Sequence, residues 1–204
     1  MLRKRGLLMA GVALALSLAA GAAPDWKTLT DAPRNIDGQG YRKDRPIDIR
    51  HSKGEVVIAM PNDQWVLNSA GAMGADKEFY HEVLGARLGI WAGESIAGKQ
   101  PRAIVSEWVG NIKALTGGDW GAPKAKSIAG VPVVEAGGVD AFGNYYYRII
   151  AFNKLGINYA VATRIPYEHR WNRVLDEDTT SLITDCHKST ALVQKELNKK
   201  RQRR

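Results

Sequence analysis

The sequence predicts an α+β fold, an antiparallel β-sheet of about six strands flanked by helices. Three observations carry this reading. Val131 to Glu135, Tyr145 to Phe152 and Ile157 to Ile165 are β-branched, aromatic or alternating runs separated by turn residues, which makes an antiparallel meander within 128–166. Pro101 opens an apolar stripe of Ile104, Val105, Trp108, Ile112 and Leu115 at helical spacing, and Gly117 ends it. Leu182, Ile183 and Cys186 repeat that spacing near the end of the chain.

Taken in order, the chain opens with Arg3, Lys4 and Arg5, then a 14-residue apolar stretch from Leu7 to Ala20 and the small residues Ala20-Gly21-Ala22. This is the form of a cleavable signal peptide over 1–22, and the stretch is shorter than the ~20 residues that span a bilayer. The expected address is therefore exported, either the periplasm or outside the cell. Residues 23–45 are rich in Asp, Arg, Gly and Pro and read as an extended lead-in. Ile47 to Arg50 and Glu55 to Met60 form two strands around Ser52-Lys53-Gly54, with Gly54 at a left-handed turn position. Pro61 stops the ladder, and the turn 62–65 brings Trp65 back toward the core. Residues 69–76 are a loop. Glu78 to Leu84 and Ala86 to Trp91 are strand segments, with Gly85 or Gly89 as the bend.

After the Pro101 helix, Asp119 to Pro123 is a loop. The connection Asn153-Lys154-Leu155-Gly156 has the residues of a type I turn. On the last strand Tyr159, Val161, Thr163 and Ile165 share the bulkier face, which should meet a helix, while Ala160, Ala162 and Arg164 share the other. Asp176, Glu177 and Asp178 suit the start of the second helix, which can continue through Leu192, Val193 and Leu197. One domain over 46–192 is the simplest count, followed by a basic tail over 193–204.

The formal net charge is +8, but much of it sits at the two ends. Arg3, Lys4 and Arg5 belong to the signal segment, while Lys195, Lys199, Lys200, Arg201, Arg203 and Arg204 stand against a lone Glu196 in the tail. The body between is near neutral, so nucleic acid is not an expected partner. The tail is suited to peripheral contact with an anionic membrane or polymer. Cys186 is the only cysteine, so no disulfide forms within the chain.

Chemistry-bearing motifs are sparse. There is no nucleophile elbow, phosphate loop or dinucleotide fingerprint, and no cofactor is expected. His81 and His169, with Glu82 and Glu168, are the residues that an alternative metal-binding or small-enzyme reading would use. No two histidines have the spacing of a helical zinc pair. Asp48, Glu55, Asp140 and Glu168 are carboxylates that such a site would draw on, and solvated strand ends explain them as well. Cys186 and His187 are adjacent on a helix and do not face each other. The candidate binding residues are Tyr145, Tyr146, Tyr147 and Arg148: alternation puts Tyr145 and Tyr147 on one face and Tyr146 with Arg148 on the other, so one phenol set can line a groove. Cross-strand pairing alone would also account for three strand tyrosines.

Several stretches together resemble the PsbP/Mog1/DcrB-like superfamily over residues 45 to 190. They are Val56-Val57-Ile58-Ala59-Met60-Pro61 followed by Trp65, the Pro101 helix, Ile128-Ala129-Gly130-Val131-Pro132, the Tyr-rich strand, Gly156-Ile157-Asn158-Tyr159 and a short closing helix. The resemblance implies an α/β/α sandwich and a mostly non-catalytic group: photosystem accessory proteins, a Ran-binding protein and bacterial envelope proteins including lipoproteins. No shared site carries over to this chain. The sequence departs from the lipoprotein members in having no cysteine near the signal segment, and has Thr184-Asp185-Cys186 where many relatives close with a Ser-Phe pair. The expectation is an exported, non-catalytic accessory or assembly protein of the bacterial envelope that binds another protein.

Overall fold

A computed structural model describes residues 47–51, 54–58, 65–67 and 75–203. Signal segment 1–22, lead-in 23–45 and loop 69–74 lie outside the described residues. So do Pro61 and the turn before Trp65.

The main sheet has eight strands, all paired antiparallel: β3 (Trp65–Leu67), β4 (Lys77–His81), β5 (Arg87–Ala92), β6 (Asp119–Trp120), β7 (Lys124–Ile128), β8 (Val131–Val139), β9 (Tyr145–Lys154) and β10 (Ile157–Pro166). Their order is β3-β4-β5-β10-β9-β8-β6, with β7 sharing the outer edge of β8. β1 (Ile47–His51) and β2 (Gly54–Ile58) form a separate two-stranded ribbon. Helix α1 (Pro101–Thr116) and helix α2 (Arg173–Gln202) complete the domain, and β2 runs beside α2.

The last strand explains the layering. β10 is the fourth strand in the order and is buried along nearly its whole length, so both faces need cover. Tyr159, Val161 and Ile165 join Leu175, Leu182, Ile183 and Cys186 of α2 in one core. Ala160 and Ala162 face the other core, where their small side chains leave room for Trp91 and Trp108, edge-on at 4.7 Å. Because successive strand residues point to opposite faces, α1 and α2 lie on opposite sides of the sheet. The bulkier face does meet a helix, and it is α2.

Several local expectations are corrected. Among the described residues the sheet has eight strands rather than about six, because β3 and β6 are only three and two residues long and β7 carries no apolar alternation. β7, Lys-Ala-Lys-Ser-Ile, is an exposed edge strand. Asp119–Trp120, expected as loop, pairs with Val139 and Gly138. Gly54 pairs with His51 inside the ribbon instead of sitting at a turn. The strand expected to run to Leu84 stops at His81, and Gly85, at φ 64°, lies in the connection to β5. The 153–156 connection has Leu155 and Gly156 at φ 54° and 78°, with Lys154 paired to Ile157. That is the two-residue pattern of a type I′ turn, whose twist matches a hairpin where type I would splay it. Leu115 falls on the stripe by angle but is 53% exposed, since the last turn of α1 has reached the end of the sheet and meets the β8–β9 connection. The closing helix is not short, and 193–202 continues it rather than forming a separate tail.

Candidate functional site

On the α2 side, at the end of the sheet where β9 begins and β10 ends, a cleft of about 600 Å³ opens between β8, β9 and the first turns of α2. Its position follows from local sequence. β10 ends at Pro166, a short 3₁₀ turn spans Tyr167–His169, and Asn172 starts α2 by accepting from the Val174 N–H at 2.9 Å. The helix therefore begins before the expected acidic trio, leaving Asp176 within its first turn, exposed and lining the cleft.

Arg148 is the centre of the site. Glu135, diagonal to it on β8, accepts from Nε at 3.2 Å and Nη2 at 3.4 Å, while Nη1 donates to Asp176 Oδ1 at 2.7 Å. Lys126 from β7 also reaches Glu135, at 3.3 Å. Burial works against the charge on Arg148, but the two carboxylates outweigh it and hold the guanidinium pKa above its ordinary value. Tyr146 lies beside Arg148 on the same face. A Cβ on Gly137 would stand 2.3 Å from the Tyr146 hydroxyl oxygen, so the missing side chain is what lets the ring lie over β8. Burial raises the Tyr146 phenol pKa. Ile165 and Leu175 supply apolar lining. At the rim, the Arg170 guanidinium stacks on the Tyr167 ring at 3.7 Å and lies 5.6 Å from the Trp171 ring, which is 80% exposed.

Of the four candidate binding residues, the structure brings Tyr146 and Arg148 into this cleft and places Tyr145 and Tyr147 on the opposite face. Tyr147 is buried against Trp120 at 5.6 Å, and its phenol pKa is pushed up to about 12 by burial. Tyr145 lies under the Arg164 guanidinium at 4.2 Å. The paired glycines Gly137 and Gly138 serve the two faces in the same way, because the Trp120 ring roofs Gly138 as Tyr146 roofs Gly137.

His81 is fully buried, edge-on to Trp65 at 5.0 Å, and its Nδ1 accepts from the Leu84 N–H at 3.2 Å. Burial lowers its pKa, opposed by the Asp178 carboxylate; Glu82 also raises it and His169 lowers it. Asp178 itself accepts from the Trp65 indole at 2.7 Å. Among the described residues no cluster of three or more His, Cys, Asp or Glu side chains could hold a metal ion. Asp140 accepts from the Asn144 N–H at 2.7 Å within the β8–β9 connection. Lys199 and Arg201 are exposed on the last turns of α2 and Arg203 is exposed at its C-cap.

Sequence reasoning missed Lys126, Glu135, Arg170, Trp171 and Asp176 as a group. The available signal was Arg170-Trp171 four residues after a strand-ending Pro166, a large aromatic with no apolar stripe to join.

No family model and no curated protein matches this chain. Among solved structures it is similar to LpqN of Mycobacterium tuberculosis, described as involved in cell envelope biogenesis, with a TM-score of 0.42 and 11% identity over 67% of this chain and 87% of that one. No described helix is long and apolar enough to cross a membrane.

Proposed function

We propose that this chain is an exported, non-catalytic accessory or assembly protein of the bacterial envelope, and that it binds another protein through the cleft at the start of α2. The observation that carries the reading is Trp171, 80% exposed at the rim of a preformed cleft and flanked by Arg170. Trp, Tyr and Arg dominate the energetics of protein interfaces, and an indole held out in water gains most when a partner covers it. Export is supported by the Arg3–Arg5, Leu7–Ala20, Ala20–Ala22 pattern, and membership of the PsbP/Mog1/DcrB-like superfamily by the motifs quoted above together with a sheet covered by helices on both faces.

Crosslinking pull-down from the native envelope tests this reading. The wild-type chain should retain a partner that Trp171→Ala and Tyr146→Ala both lose, and recovery of the same partner by all three would exclude the cleft. The basic end of α2 suggests a second contact, with anionic membrane, because Lys199, Arg201 and Arg203 stand exposed there. Deleting residues 199–204 should abolish low-salt co-sedimentation with anionic vesicles; equal binding by the truncated chain would exclude the tether.

A further inference from the structure

We infer that the cleft receives an acidic segment of the partner protein, and that a carboxylate of this segment takes the place on Arg148 now held by Asp176. The inference rests on the cleft being the partner site. Arg148 is oriented in advance, since Glu135 engages it from below through Nε and Nη2 and leaves Nη1 aimed away from that contact. The carboxylate on Nη1 is the chain's own Asp176, at 2.7 Å. The two acidic partners differ in kind. Glu135 has a side chain only 9% exposed and is shared with Lys126, so removing it would strand a buried charge. Asp176 is 67% exposed and passes readily into water, so an incoming carboxylate can make the same charge-assisted hydrogen bond in its place.

The surrounding charge selects the sign of the visitor. Among the described residues Lys126, Arg148, Arg170 and Arg173 line the cleft against Glu135 and Asp176; Glu177, beside it, pairs with Arg173 at 2.6 Å, which leaves an excess of one positive charge. The N-terminal end of the 30-residue helix α2, capped by Asn172, opens at the same place and adds a positive potential. A basic segment would find Asp176, the exposed carboxylate among the described lining residues, already bonded to Arg148. Beside the charged groups, Trp171, 80% exposed, offers a stacking face at the rim, which suits an Asp or Glu with an apolar neighbour.

The test uses an array of octapeptides of fixed apolar content and increasing Asp and Glu number, probed with the mature chain at low and high salt. Signal should rise with acidic content and fall with salt. Asp176→Asn should strengthen binding of the acidic octapeptides roughly fivefold, the size of one released exposed ion pair. Arg148→Gln should abolish it. Asp176→Asn leaves the buried pair intact, so it decides the matter even where Arg148→Gln fails to fold. Absent binding, signal independent of acidic content, preference for basic octapeptides, or an Asp176→Asn variant no tighter than wild type would overturn the inference. A partner captured from the envelope through Trp171 would then leave the cleft reading standing without its acidic ligand.

Discussion

Gly137→Ala is the substitution that most sharply probes how the cleft is built. The added methyl would lie 2.3 Å from the Tyr146 hydroxyl oxygen, 2.9 Å from its Cζ and 3.1 Å from the Tyr147 carbonyl oxygen. Ordinary contact begins near 3.4 Å, so the phenol must retreat by roughly 1 Å or leave the strand surface altogether. Overpacking of this kind costs about 1–3 kcal/mol. Most of that strain comes from one ring, and Tyr146→Ala should remove it. Urea melts of wild type, both single variants and the double variant measure this directly. The double variant should be less destabilised than the sum of the singles by at least about 1 kcal/mol, with the residual cost of the added methyl coming from the Tyr147 carbonyl. Additivity within roughly 0.5 kcal/mol would mean that the ring does not rest on Gly137. The geometry drawn for Tyr146 and Arg148 in the cleft would then be wrong.

Other outcomes follow from the cores. Trp108→Ala should lower stability by about 3–5 kcal/mol, because a side chain 2% exposed and packed on Trp91 would leave a cavity; a change under about 0.5 kcal/mol would move Trp108 out of the core. Burial depresses the pKa of His81, so between its folded pKa and 6.5 the unfolded chain binds more protons. Stability should therefore be full above pH 6.5 and fall as pH drops through that window, a dependence that His81→Asn should reduce. An unchanged pH profile in His81→Asn would contradict the burial assigned to that imidazole. Cys186 is fully buried and its thiol pKa is pushed up by burial, so labelling should be slow in the native state and rapid in denaturant. Fast native labelling would place it at the surface.

The cores were legible because periodicity reports burial. Ile104, Val105, Trp108 and Ile112 mark one helix face, and Leu182, Ile183 and Cys186 the other, as the buried side chains confirm. The meander was legible for the same reason. Edge strand β7 was hidden because solvent imposes no alternation on it, and β6 because two residues are too few to show a pattern. Half of the cleft could be read from alternation along β9, which separates Tyr146 and Arg148 from Tyr145 and Tyr147. The other half could not, because Glu135 and Asp176 meet Arg148 from positions 13 and 28 residues away, across a register no local pattern reveals. The start of α2 was masked by its own composition: the acidic run at 176–178 looks like a helix N-terminus, whereas the side chain that accepts the free backbone N–H is Asn172.

Site-specific photocrosslinking in the native envelope tests directly whether a partner protein occupies the cleft. A photoreactive phenylalanine analogue replaces Trp171 in one chain and Leu155, half exposed on the β9–β10 hairpin at the opposite end of the sheet, in another. Position 171 should give a discrete protein adduct, lost when Tyr146→Ala is added, and position 155 none of the same mass. The same adduct from both positions, or no adduct from 171 while the chain is folded and exported, would contradict that occupancy.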